Sequence, residues 1–164
     1  MNKRKDLEVN GFVGFKTMQE LMANNACVPK EKGIYVVIRE SNNNPTFLIQ
    51  GTGGFFKGSD PNVSIDVLKN EWVEDTDIIY IGKAGGAGIK ATLFSRIGQY
   101  LKFGQGKNIG HKGGRYIWQL SDSRSLIICW KVLNNEDPKN VEYDMIQNFK
   151  QNHQGKRPFA NLKD

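Results

Sequence analysis

Asp77–Arg115, DIIYIGKAGGAGIKATLFSRIGQYLKFGQGKNIGHKGGR, is the stretch on which the fold turns. It opens as a short apolar strand, Asp77–Ile81, and breaks at Gly82-Lys83. A glycine-rich turn follows, then a helix predicted over Gly88–Phe103 with an apolar stripe at Leu93, Ile97 and Leu101. Arg96 and Tyr100 stand four residues apart beside that stripe. A glycine-rich basic loop, Gly104–Gly114, closes the stretch. From Lys83 to Arg115 there are seven Lys or Arg residues and no Asp or Glu, while the chain as a whole carries +6; everything outside Lys83–Arg115 therefore sums to −1. Positive charge concentrated in this way is the footprint expected of a protein that binds a phosphate backbone.

Working outward, 164 residues suit a single domain, 1–164, and allow a sizeable core. Residues 1–10 are polar and read as loose. Phe15–Asn24 reads as a short helix in an N-terminal extension spanning 1–29, with Thr17 as N-cap and Glu20 three residues on. Gly33–Glu40 (GIYVVIRE) is a strand whose Ile34, Val36 and Ile38 point one way and Tyr35, Val37 and Arg39 the other. After it, SNNNP is a turn and FLIQGT reads as a return strand. Val63–Val73 reads as a helix with Val63, Val67 and Trp72 inward. In the strand ending at Ile81, alternation pairs Ile79 with Ile81 and Ile78 with Tyr80. Arg115–Leu120 and Leu126–Leu133 read as a hairpin, and Pro138 starts a helix reaching Asn152 with Val141, Met145 and Phe149 as its core stripe. The sum is an α+β fold with a small, mostly antiparallel central sheet flanked by helices.

Two cysteines, Cys27 and Cys129, are too few for a disulfide scaffold and match no zinc spacing, which suits a reducing, cytoplasmic setting. The N-terminus lacks the apolar core of a signal peptide. No apolar run approaches the roughly 20 residues of a membrane helix.

Gly86–Ala91 (GAGIKA) fits a dinucleotide fingerprint between strand and helix, but about 20 residues later that fingerprint needs an acid to hold a ribose. Here the chain reads GKNIGHK. A phosphate loop of the Gly-Lys-Ser/Thr kind is absent too. The competing pattern is GIY at Gly33–Tyr35 and YIG at Tyr80–Gly82, followed in order by Lys83, Arg96, Tyr100, Glu142 (in KNVEYDM) and Asn161 (in RPFANL). Taken singly, a strand tyrosine is ordinary core material and a helix arginine ordinary solvated surface. In this order they resemble the GIY-YIG nuclease family over roughly residues 30–162.

The resemblance implies a metal-dependent enzyme that hydrolyses a DNA phosphodiester bond. Tyr35 and Tyr80 would bind the attacking water and help to deprotonate it. Arg96 would grip the scissile phosphate, Glu142 would supply the single carboxylate to Mg²⁺ (or Mn²⁺), and Asn161 would buttress the site. Tyr100 stands where the family often has His or Tyr. General chemistry agrees. Arginine offers a planar fork to phosphate and Lys83 a point charge. Mg²⁺ keeps several waters and needs only one or two carboxylates beside a substrate phosphate. A tyrosine acting as a base near neutral pH needs cationic neighbours, which Lys83 and Arg96 are expected to supply. Lys90, Lys102, Lys107, His111, Lys112 and Arg115 are the candidate DNA contacts.

Two features depart from the family pattern. Forty-four residues separate Tyr35 from Tyr80. The insertion, 41–76, is expected to bulge from a hairpin end and add DNA contacts through Phe55, Phe56 and Lys57. The chain is also expected to carry no separate recognition domain, so specificity is expected to be low or to come from a homodimer or partner. Two rivals stand beside the DNA nuclease. One is a non-catalytic nucleic-acid-binding module of the same fold, and the other a nuclease acting on RNA or branched repair intermediates.

Overall fold

Gly33–Ile38 and Ile78–Ala84 pair directly, antiparallel, with Tyr35 opposite Gly82. The insertion at 41–76 therefore does not displace one motif strand from the other. The computed structural model describes residues 1–164. In chain order the elements are α1 (Arg4–Val9), β1 (Val13–Thr17), α2 (Met18–Ala23), β2 (Gly33–Ile38), α3 (Ile65–Glu71), β3 (Ile78–Ala84), α4 (Leu93–Gly104), β4 (Ile127–Val132) and α5 (Pro138–Asn152). Short 3₁₀ turns occupy Phe56–Gly58, Arg115–Gln119 and Ser123–Ser125. The strands make one antiparallel sheet in the order β1-β4-β2-β3, flanked by helices. No helix is long and apolar enough to cross a membrane.

Alternation along β2 splits the interior in two, as its sequence predicts. Tyr35 and Val37 face the larger core, shared with Met18 and Leu21 of α2 and Leu93, Ile97 and Leu101 of α4. Ile34, Val36 and Ile38 face the smaller core, closed by Leu7 of α1 and by Ile146 and Phe149 of α5. All six residues of β2 are buried, because it is an inner strand covered on both faces.

Along β3, simple alternation fails. Val37 pairs with Tyr80 but Ile38 pairs with Ile78, so Ile79 is the extra residue of a bulge. Ile79 and Tyr80 consequently share the larger core, while Ile78 and Ile81 share the smaller one. The bulge leaves Tyr80 on the face of Tyr35. β3 is an edge strand, and the C-terminal tail covers that edge. The Ala160 amide donates to the Ile79 carbonyl at 2.8 Å, and the Asn161 side chain brackets the Ile81 backbone. Phe159 anchors the tail among Phe47, Trp72 and Tyr116.

Several local expectations need correcting. Residues 4–9 are helical rather than loose, because Leu7 is buried under the sheet and Asp6 accepts from the Asn2 and Lys3 amides. Thr17 and Glu20 form the expected capping box, but the helix starts only at Met18, and Val13–Thr17 is an edge strand. Helix α4 starts at Leu93, capped by Thr92. Gly85, Gly86 and Gly88 have φ of +84°, +127° and +71°, outside the right-handed helical region. FLIQGT is not a strand and contributes one bridge, Phe47 to Leu120. RYIWQL is a 3₁₀ turn, because its carbonyls serve the insertion: Trp118 accepts from Thr52 and Gln119 from Leu48. In α3 it is Leu68 that is buried, whereas Val67 is exposed.

Rather than bulging outward, the insertion lies along the larger core. The buried Gln119 side chain holds it by donating to Leu48 and Val63 carbonyls and accepting from the Val63 amide.

Candidate active site

Both motif glycines are explained by packing. Gly82 faces Tyr35 across the β2–β3 ladder, and a Cβ there would stand 2.7 Å from Tyr35 Oη. At Gly33 a Cβ would strike the Lys131 carbonyl oxygen and lie 2.9 Å from Leu93 Cδ1. Gly82 thus leaves room for the Tyr35 ring against β3, and Gly33 lets β2 close on β4 and α4.

Tyr35, Tyr80 and Tyr100 form a triangle, with ring centroids 6.0, 6.4 and 5.4 Å apart. A cleft of about 350 Å³ opens beside it, lined by Tyr35, Tyr80, Lys83, Arg96, Gln99 and Glu142. A second hollow of about 340 Å³ shares Tyr80, Lys83 and Glu142 and continues to Lys112, Arg115 and Asn161. Strand β3 supplies Tyr80 and Lys83, α4 supplies Arg96, and α5 supplies Glu142. Residues far apart in sequence thus line one concavity.

Lys83 Nζ donates to Glu142 Oε2 at 2.7 Å, and the pair is only partly buried. Arg96 donates through Nη1 to Gln99 Oε1 at 3.1 Å and more weakly to the Gly110 carbonyl at 3.4 Å. Neither partner is charged, so the guanidinium carries its full positive charge at the cleft wall. Asn161 donates to the Ile81 carbonyl and accepts from the Ile81 amide, both at 2.9 Å. It fixes the strand one residue from Tyr80 and is itself buried.

The tyrosines are not poised as bases. Burial drives the Tyr35 hydroxyl well above the usual tyrosine range and pushes Tyr80 up to about 12. Arg96 acts in the opposite sense on both but is outweighed. The expectation that cationic neighbours lower these pKa values is therefore corrected: removal from water is the larger effect.

His111 is the second correction. It was expected among the phosphate contacts of the basic loop, yet it is fully buried and cannot touch a duplex. Its ring stacks on Tyr100 with centroids 4.0 Å apart, and its Nε2 lies 3.0 Å from Tyr35 Oη. Burial first, and Arg96 second, push its pKa down to about 3, so the imidazole is neutral at pH 7. The other ring nitrogen, Nδ1, is buried without a partner. Tyr100, also fully buried, donates to the Gly114 carbonyl at 2.6 Å, so its hydroxyl ties down the basic loop and lines neither part of the cleft.

Of the other cations in Lys83–Arg115, Lys90, Lys102 and Lys107 are exposed, and Lys112 and Arg115 partly so. None of these five, nor Arg96, forms an ion pair; Lys83 is the one cation of the stretch that does.

No group of three or more His, Cys, Asp or Glu side chains assembles into a metal cage. Asp164, the other acid at the cleft, is tied to Lys150 and Arg157. What remains is Glu142, partly exposed and with one oxygen free of protein donors. A single carboxylate fits a hydrated divalent ion that draws its remaining ligands from water and a phosphate.

Sequence reasoning missed His111 as a partner of Tyr35, 76 residues away, and Gln119 as the clamp on the insertion. Neither carries a local pattern that announces it. Set against protein-family models, curated proteins and solved structures, the chain matches none of them.

Proposed function

We propose that this protein is a metal-dependent endonuclease of the GIY-YIG type that hydrolyses DNA phosphodiester bonds. The observation that carries this reading is the gathering of Tyr35, Tyr80, Lys83, Arg96 and Glu142 around one cleft beside a run of unpaired cations.

In this reading the phosphate enters between Arg96 and Lys83. Arg96 presents two N–H groups to its oxygens, and Lys83 neutralises charge that grows on the equatorial oxygens. Tyr80 and Tyr35, held neutral by burial, orient the attacking water by hydrogen bonds. His111 fixes the direction of the Tyr35 hydroxyl. Glu142 would hold Mg²⁺ or Mn²⁺, which when bound supplies Lewis-acid charge stabilisation and a more acidic water. Nicking of supercoiled plasmid in Mg²⁺, wild type against Glu142→Ala, tests this. The expected loss is about two to three orders of magnitude, the scale of removing a positioned electrostatic group. Equal nicking by both proteins would refute the role of Glu142.

One observation favours a second reading. Lys83 already neutralises the Glu142 carboxylate at 2.7 Å, as suits a binding module with no need of a cation. That reading predicts salt-dependent DNA binding and no cleavage with any divalent metal.

A further inference from the structure

The turn Phe55–Lys57, deep in the insertion, packs against the basic loop. The Phe55 amide donates to Asn108 Oδ1 at 3.1 Å, and the Gly54 amide donates to the Phe103 carbonyl at 2.9 Å. A Cβ on Gly54 would strike the Lys107 carbonyl oxygen, so the two segments touch backbone to backbone. The Phe56 ring lies over Gly110, whose Cβ would meet it at 3.1 Å. Lys57 Nζ and Lys112 Nζ stand 5.3 and 5.9 Å from its centroid. Phe55 is 40% exposed, one of few large apolar side chains left in water. Lys112 also lines the cleft with Tyr80, Lys83 and Glu142. The Phe56 ring, flanked by two lysines, is thus linked to the cleft through the Lys112 side chain, and the exposed Phe55 is its neighbour in the same turn.

We propose that Phe55 and Phe56, with Lys57, Lys107 and Lys112, form a landing site for unpaired nucleotides. The substrate would then be DNA carrying a single-stranded segment next to the scissile phosphate. This rests on the nuclease reading for the word substrate, but the surface stands on its own contacts. Bases present flat π-faces to aromatic rings whatever their sequence, and cations beside the rings follow the backbone. A blunt duplex hides those faces and gains only from the charge. Phe55, next to Phe56 in the chain and the more exposed of the two, suits the outer stacking position.

Fluorescence anisotropy in EDTA tests the site without cleavage, using labelled oligothymidylate and a blunt duplex of equal length at fixed salt. Wild type is expected to prefer oligothymidylate. Phe55→Ala is expected to weaken that binding roughly tenfold, the scale of losing one base stack, and to erase the preference. Phe55→Leu, apolar without a π-face, should behave like alanine, whereas Phe55→Trp should restore the preference. A wild type that favours the duplex, or a Phe55→Leu protein that binds oligothymidylate as wild type does, overturns the proposal. A protein that prefers oligothymidylate through Phe55 but nicks nothing in Mg²⁺ keeps this surface and removes the nuclease. One that nicks but shows no Phe55-dependent preference does the reverse.

Discussion

Gly82→Ala isolates the contact that makes the two motifs one structure. The added methyl would lie 2.7 Å from Tyr35 Oη and 2.8 Å from Cε2, against an optimal carbon–carbon separation of about 3.5–4.0 Å. Tyr35 Cζ is nearer still, so relief requires a shift of more than about an ångström. Tyr35 has little room to give it: the ring is buried, His111 holds its hydroxyl at 3.0 Å, and Tyr80 and Tyr100 flank it. Overpacking of this kind costs about 1–3 kcal/mol. A competing term acts on the unfolded chain, where alanine in place of glycine is worth about 0.4–1 kcal/mol of stability. The clash is the larger of the two, so net destabilisation of about 1–2 kcal/mol is expected. For a chain of this size that lowers Tm by roughly 2–8 °C. Gly98→Ala supplies the control. It sits in α4 with its nearest neighbour, Asn25 Nδ2, 3.8 Å from the new methyl, so it should gain up to about 1 kcal/mol from helix propensity. The assay is thermal unfolding of both variants beside wild type, with plasmid nicking measured in parallel. If Gly82→Ala melts at or above the wild-type temperature, the steric account of the YIG glycine is wrong.

Three further outcomes are expected. His111 has a folded pKa of about 3, below its ordinary 6.5, so the unfolded chain binds more protons between those values. Its contribution is complete above about pH 6.5 and is lost as pH falls towards 3, at about 1.4 kcal/mol per pH unit; His111→Phe should flatten the fall in Tm between pH 6.5 and 4.5, and an unchanged slope would count against burial as the cause. Asn161→Ala strips both backbone partners from Ile81 and should cost about 2–4 kcal/mol in urea unfolding, with a loss under about 0.5 showing that water replaces them. Duplex affinity measured against salt should give a log–log slope near −5 if Lys90, Arg96, Lys102, Lys107, Lys112 and Arg115 all meet phosphates, and a slope shallower than about −2 would place most of them elsewhere.

What the sequence made legible was local. The alternation in GIYVVI, the Thr17–Glu20 capping box and the start of α5 at Pro138 each follow from a few neighbouring residues, and each appears in the fold. The gathering of Tyr35, Tyr80, Lys83, Arg96 and Glu142 was legible only as an ordered set of residue types. The failures are tertiary. The bulge at Ile79 depends on the register with β2 and on Ala160, which arrives 81 residues later. RYIWQL is apolar enough for a strand, but its carbonyls are claimed by the insertion, which a reading along the chain cannot see. His111 reads as a loop DNA contact because its neighbours are lysines and glycines. Its burial results from the loop folding back on Tyr100, which no local spacing encodes. The tyrosine pKa values went the wrong way because a sequence displays charges and conceals desolvation.

With Tyr35 and Tyr80 raised and His111 lowered, all three stay neutral across the physiological range, and none is a strong base. They can orient a water but gain nothing by accepting its proton outright. In the nuclease reading proposed above, the burden of making that water reactive then shifts to the Glu142 side of the cleft. There the Lys83 ion pair sets the terms. A partly exposed pair of this kind is worth at most about 1 kcal/mol. Separating it costs little, and Lys83, once released, is left with three donors beside an incoming phosphate. The contact that suits a closed binding module is thus also compatible with a nuclease whose carboxylate is guarded until charge of both signs arrives together. Lys83→Met separates the two cases. In a binding module it should weaken DNA affinity by one phosphate contact and leave divalent metal without effect. In a nuclease it should raise metal affinity at Glu142, seen as a lower Mg²⁺ midpoint for nicking, while the maximal rate falls because the phosphate has lost a cation. A maximal rate unchanged at saturating Mg²⁺ would show that Lys83 serves the carboxylate alone.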